Sequence, residues 1–401
     1  MQGLTDGPRS GLTEQEVLDS LSFQGGATVS WGLELLDITT GDSVSHDLNV
    51  KSGSVDWSYR VPSSVTGRAD LEAKVRRTGS LVVSGEWGNI NPLDVFYQVY
   101  VEIQSGSSPK TKWYLGTFVS TLPPMQWDGK EKTWDIDLAD KTHLWNLRKL
   151  TDNYTIPFNR HILLWIQEEL NSEFGESTYD FPAENIYTED DLFIDEDTSY
   201  LDMFNVGLEH KGYEPLTVTA EGLPKTRDAD DFYTVPIEHT YETNSTSTVV
   251  EGFDRDPVLA EAPNVLKFVA RRGPSLPVEG NGIYTIYNYD VGVGSINSRG
   301  FETPKRVEVE ADSQAELEKI ARRDANAYFM GGGDRVQLSV GLNPRHDDRD
   351  IIGIVYPEGG LTDPSTKWAV TSWSVSLPES ISSESDVTMD LEAERLWTPP
   401  A

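Results

Sequence analysis

Between residues 95 and 103 the chain alternates without a break: Val95, Tyr97, Val99, Val101 and Ile103 fall on every second position. A period of two places all five on one face of an extended backbone, so the segment predicts a half-buried strand and excludes a helix. Runs of the same kind recur through the first third of the chain, at 29–37, 54–61, 67–75 and 80–83. They continue with Trp113, Leu115, Thr117 and Val119, then Trp134, Ile136 and Leu138. Glycine and polar residues punctuate them at Gly41–Asp42, Gly106–Pro109 and Asp128–Lys130, as turns require. Short strands at this spacing predict a small closed or half-closed β-barrel or sandwich over residues 26–150.

Near residue 151 the period changes. Phe158, Ile162, Trp165, Ile166 and Leu170 share one face at helical spacing, Pro157 sits where a first turn tolerates it, and Gly175 marks the stop. A second helix is predicted from about Ser199 to Lys211, with Leu201, Phe204 and Leu208 inward. With a short strand at 216–219 these make a small α+β insert, and residues 221–262 read as polar and loop-rich. Strands resume at 264–270 and 282–289 and return at 336–340, 351–355, 368–375 and 387–393. One helix interrupts them at about 313–330, opened by a Ser313–Glu316 capping box and closed by Gly331–Gly333. The expectation is a mainly β chain with an α+β insert: two β-barrel-like domains, 26–150 and 263–401, separated by a small helical domain at 151–262. Residues 1–25 read as a polar N-terminal arm with its own capping box at Thr13 and Glu16.

The 401 residues hold 66 Asp and Glu against 33 Lys and Arg, a formal net charge of -33. Such a surface repels nucleic acid and anionic membranes. The acids are spread along the chain and not clustered. That favours a hypersaline setting, where screening makes the repulsion tolerable, over a dedicated cation store. Aromatic residues at 10%, with 11 Trp, argue for a folded chain. Cysteine is absent, which excludes disulfides and thiolate metal sites. The first twenty residues lack the apolar core of a signal peptide, and no run approaches the roughly 20 apolar residues of a membrane span.

No G-x-S-x-G elbow, H-E-x-x-H helix or P-loop occurs, so no cofactor is expected and the chain does not read as an enzyme. The one metal-like constellation is His346, Asp347 and Asp350, a His and carboxylates that could hold a hard divalent ion. Arg345 and Arg349 offset its charge, and the competing expectation is a charged turn before the 351–355 strand. The acidic run from Glu184 to Asp197 lacks the central glycine of a calcium loop and reads as solvated surface. Trp31, Trp57, Trp113, Trp134, Trp368 and Trp373 lie in strands and are expected in the core. Trp87 and Trp127, in loops flanked by Gly or Pro, are expected to mark contacts with neighbours.

The order of these segments resembles that of the minor tail, or baseplate-hub, proteins of long-tailed phages. In the first half the likeness is carried by Trp31–Asp37 (W-G-L-E-L-L-D), Val55–Ser58, Trp113–Phe118 (W-Y-L-G-T-F) and Thr133–Lys141 (T-W-D-I-D-L-A-D-K). In the second half it is carried by Asn264–Val265, Arg299–Gly300, Leu342–Asp347, and Trp368 with Thr371–Trp373. It spans about residues 28–397. The resemblance implies a homotrimer in which two β-barrel domains per subunit form a pseudo-sixfold ring. Such a ring joins a hexameric tail tube, or a distal tail ring, to tip, spike or fibre proteins. It implies a virion protein of the tail tip, assembled in the host cytoplasm, through which DNA passes at ejection without specific binding. A lumen lined with carboxylates would give phosphates nothing to hold. The acidity would then point to a tailed virus of a halophilic archaeon. Two other classes fit the same strands: a carbohydrate- or receptor-binding tail module, and a tail-associated cell-wall hydrolase, whose active-site constellation is not found in the sequence.

Overall fold

The computed structural model describes residues 27–58, 77–105, 110–120, 125–127, 132–209, 211–228, 235–243, 249–256, 263–271, 282–289, 294–311, 313–330, 334–347, 350–378 and 388–396. The Thr13–Glu16 box, the 67–75 run and the Gly331–Gly333 stop lie outside the described residues.

The first third folds into β1 (Ala27–Asp37), β2 (Ser43–Val44), β3 (Asn49–Ser58), β4 (Arg77–Ser84), β5 (Val95–Ser105), β6 (Thr111–Ser120), β7 (Met125–Trp127) and β8 (Lys132–Asp140). Alternation sets the buried face: Val95, Tyr97, Val99, Val101 and Ile103 of β5 all point into the core. The strands lie antiparallel in the order β1-β5-β6-β8-β4-β3, with β2 added to β1 and β7 to β8.

The insert follows with α1 (Thr142–Leu147), β9 (Tyr154–Ile156), α2 (Ile162–Phe174), β10 (Leu192–Ile194), α3 (Tyr200–Glu209), β11 (Thr217–Val218) and β12 (Pro224–Lys225). Helix α2 begins later than its apolar spacing predicts. Residues 154–156 pair with 192–194 instead, leaving Pro157 and an exposed Phe158 in the connection. His161 caps the helix, its Nδ1 accepting the Leu164 N–H at 3.1 Å, and Gly175 ends it in the left-handed conformation at φ 72°. Helix α3 buries Leu201, Phe204 and Leu208 as expected. A hydrophobic cluster of its own, built on Trp145, Trp165, Phe204 and Tyr213, holds the insert together.

The second half supplies β13 (His239–Glu242), β14 (Val249–Asp256), β15 (Val265–Arg271), β16 (Ile283–Tyr287), α4 (Ile296–Arg299), β17 (Pro304–Glu310), α5 (Gln314–Met330), β18 (Arg335–Gly341), β19 (Ile351–Val355), β20 (Trp368–Leu377) and β21 (Thr388–Arg395). Two departures from the sequence reading stand out here. Residues 239–242 and 249–256, read from sequence as loop, are strands of the large sheet, β13 parallel to β19 and β14 antiparallel to β18. They are short or at the sheet's end, where one neighbour suffices and the apolar alternation is weak. Conversely, β15, β16 and β17 leave the large sheet and form a three-stranded sheet, order β16-β15-β17. Leu317, Ile320, Ala321 and Phe329 of α5 pack on it with Leu266 and Phe268 as a separate core.

The remaining strands repeat the plan of the first unit. The order β14-β18-β21-β20-β19-β13 matches β3-β4-β8-β6-β5-β1 place by place, and the matched strands also follow one another in the same chain order. One direction differs: β1 runs antiparallel to β5, whereas β13 runs parallel to β19. The two barrel-like units meet where β3 pairs with the C-terminal half of β20, and the whole forms one 14-stranded sheet. Trp57 and Trp373 face each other across that seam, both buried, within one hydrophobic cluster that draws on both units.

Candidate functional site

The turn at 344–350 is where the three parts of the chain converge. His346, Asp347 and Asp350 are all buried. Asp347 pairs through Oδ1 with the Arg77 guanidinium from the start of β4, and through Oδ2 with Lys225 Nζ of β12 at 3.2 Å. Arg77 also donates from Nη1 to the Val218 carbonyl in β11 at 2.7 Å, and its backbone N–H donates to Asp140 Oδ2 at 2.8 Å. A single guanidinium thus ties the first β unit to the insert and to the second β unit.

Beside it, His346 Nδ1 and Asp350 Oδ2 lie 2.9 Å apart, and Tyr241 Oη lies 2.7 Å from His346 Nε2. Asn343 Nδ2 donates to the same Tyr241 oxygen at 3.3 Å, and the Asp347 N–H donates to Asp350 Oδ2 at 3.0 Å. With Nδ1–H donating to the carboxylate, Nε2 is left to accept from Tyr241. This Tyr–His–Asp relay has the order of a catalytic triad but lies buried among β13, β19 and the turn. Its carboxylate accepts from His346 and from the Asp347 N–H, an arrangement that fixes the turn.

The electrostatics follow the partners. Burial pushes the Asp347 carboxyl up, yet Lys225 and Arg77 outweigh it and hold the group far below the usual carboxylate range. Asp350 is also pushed up by burial and brought below its ordinary value by the hydrogen bond from His346. Asp140 goes the other way, because its burial outweighs the Arg77 and Thr142 contacts. A metal would need the oxygens that Arg77, Lys225, His346 and a backbone N–H already use. Among the described residues no group of three or more His, Asp or Glu is arranged to hold one.

Further contacts bind the insert to its neighbours. Thr117 Oγ1 of β6 donates to the Ala220 carbonyl at 3.0 Å, and Gly222, at φ 86°, presses so close to Thr117 that a Cβ would collide. Lys141, beyond β8, pairs with Glu176 at 2.9 Å and lies over the Phe96 ring. On the far side Lys319 of α5 pairs with Asp228 at 2.8 Å, and Lys211 with Glu316 at 3.6 Å. In the acidic run, Glu189 pairs with Lys211 and Asp191 accepts the Phe158 N–H, which anchors part of a stretch read as plain solvated surface. Trp87, read as a contact marker, is a core residue, edge-on to Tyr97 and Trp134. Trp127 is 70% exposed on β7. Arg77 was invisible to sequence reasoning: no spacing links it to Asp347, 270 residues away.

No protein-family profile matches the chain, and no curated protein matches it by sequence. Solved structures do match, nearly end to end. The tail protein from Neisseria meningitidis MC58 aligns with TM-score 0.60 at 13% identity, over 92% of this chain and 98% of that one. The tail protein of prophage MuSo2 from Shewanella oneidensis aligns with TM-score 0.57 at 12% identity, over 92% and 99%. An E. coli component of the type VI secretion system, which exhibits structural similarity to the T4 bacteriophage tail proteins gp27 and gp5, aligns with TM-score 0.50 at 9% identity, over 92% and 77%. The chain has the fold of phage tail proteins, as its sequence resemblance led one to expect. Among the described residues no helix is long and apolar enough to cross a membrane.

Proposed function

We propose that the chain is a structural virion protein of the tail tip. In this reading three copies form a baseplate hub that seats the tail tube, or its distal ring, on tip, spike or fibre proteins, and DNA crosses the hub at ejection. The observation that carries the reading is the twofold use of one six-strand plan within a single chain. A trimer of such chains presents six β units, the number that a hexameric tube requires. The likeness to tail proteins along 92% of the chain supports the same reading. Its chemistry is that of assembly: the buried Arg77–Asp347–Lys225 junction fixes the parts of the subunit relative to one another, and no step of catalysis is assigned. The spread of acidic residues fits a subunit built for concentrated salt and a lumen that does not retain phosphates.

Light scattering on the purified chain in molar KCl tests the reading. A mass of three subunits that falls on dilution into low salt is expected. A monomer at every concentration and salt level would count against the trimeric hub and favour a tail-associated binding module.

A further inference from the structure

The two β units share a plan, but their seams differ. In the matched ladders the core pair Leu81–Ile136 of β4 and β8 corresponds to Leu338–Leu391 of β18 and β21. Counting outward from these pairs, Trp134 takes the place of Met389. Met125 of β7 faces Trp134, and Val375 of β20 faces Met389. The short strand β7 therefore occupies in the first unit the seat that the C-terminal half of β20 occupies in the second.

The free side of that seat is used in one unit only. In the second unit, Val375, Ser376 and Leu377 carry Val55, Ser54 and Gly53 of β3 on their outer edge. In the first unit no strand lies on the outer edge of β7 among the described residues. There Met125 is 54% and Trp127 70% exposed. Large apolar side chains on a bare strand edge mark a place that another chain covers. The counterpart of β3 is β14. Gly53 faces Leu81, and Gly252 lies in the bulge opposite the matching Leu338, between the Glu251–Ser339 and Asp254–Gln337 pairs. Among the described residues β14 has one neighbour in the large sheet, β18. Among these residues, then, a β3-type edge covers a β20-type edge once, and one edge of each type has no strand on it.

We propose that β14 of one subunit pairs antiparallel with β7 of the next, repeating between subunits the β3–β20 seam that each subunit already contains. The contact is head-to-tail, so each copy offers one edge of each type and a closed ring leaves none bare. The inference rests on the hub reading and adds to it the surfaces that meet. Carrying over the β3–β20 register, in which Val375 faces Val55 and Val55 takes the place of Arg255 opposite Val336, sets Met125 of one copy beside Arg255 of the next.

The native chain has no cysteine, which makes cross-linking clean. The double variant Met125→Cys with Arg255→Cys, oxidised in molar KCl, is expected to give covalent dimers and trimers on a denaturing gel, while each single variant gives no trimer. Trp127→Asp changes an exposed side chain and is expected to leave the melting temperature of the low-salt monomer unchanged while the scattering mass in molar KCl falls from three subunits to one. A wild-type trimer that neither cross-links through this pair nor dissociates on Trp127→Asp would overturn the strand pairing and leave the hub reading intact. A wild-type chain that is monomeric throughout would overturn both.

Discussion

At the ends of their matched strands the two β units carry the same pair of charges in exchanged positions. In the first, Arg77 opens β4 and Asp140 closes β8, joined by the Arg77 N–H at 2.8 Å from the carboxylate. In the second, Asp334 precedes β18 and Arg395 closes β21, their charged groups 4.0 Å apart. The exchange decides what each end can do. An arginine on the β4 side reaches past its strand to Asp347 and to the Val218 carbonyl, so the first unit ends in a junction. An aspartate in that place cannot reach so far. One framework thus serves twice, and in the first unit its arginine is also a clasp for the rest of the subunit.

The largest expected effects lie at the closed seam and the clasp. Trp373→Ala empties a buried site facing Trp57 and is expected to cost about 3–5 kcal/mol in urea unfolding. Trp127→Ala, on the corresponding open edge, is expected to shift the isolated chain by no more than about 0.5 kcal/mol. Equal costs at the two tryptophans would break the comparison of seams. Arg77→Met leaves the buried Asp347 with Lys225 alone and is expected to cost about 3–5 kcal/mol. Asp334→Asn in the matching place is expected to cost about 1–2 kcal/mol, and similar losses at the two positions would break the distinction between the two strand ends.

A pH titration of stability sharpens the same contrast. Asp347 and Asp350 have folded-state values below their ordinary ones, so their contribution is complete above the ordinary carboxylate range and drains away as pH falls below it. Asp140 is raised, and its contribution has the opposite sign, growing as pH falls through the same range. Asp347→Asn is expected to flatten the acid limb of the stability curve, and an unchanged limb would show that the clasp is not what acid opens. The smallest effect belongs to Lys110. Its ammonium is half exposed, 2.8 Å from the Glu102 carboxylate, and Lys110→Ala is expected to cost about 1 kcal/mol or less in the same urea assay.

The parts of this fold that were legible in sequence are those fixed by short-range pattern. The β5 alternation, the inward face of α3 and the Ser313 cap of α5, whose Oγ accepts the Glu316 N–H at 3.1 Å, need only neighbours a few residues away. Even there the partner changes the outcome: the Glu316 side chain pairs with Lys211 of the insert. What could not be read depends on distant chain. Strands β13 and β14 exist because β19 and β18 offer them edges, and their own residues carry little alternation. The turn at His346 reads from sequence as a charged turn because six of the seven residues 344–350 are charged or titratable. Its burial is made possible by Arg77 and Lys225, which come from other parts of the chain. Trp87 sits in a glycine-flanked loop, yet that loop folds back on Tyr97 and Trp134.

The central claim is that the two halves of one chain occupy equivalent seats in a ring. End-on electron-microscope images of particles with the mass of three subunits test it most directly. Six similar lobes around a central opening are the predicted result. Three lobes, or three subunits gathered through some other face with no opening, would contradict it.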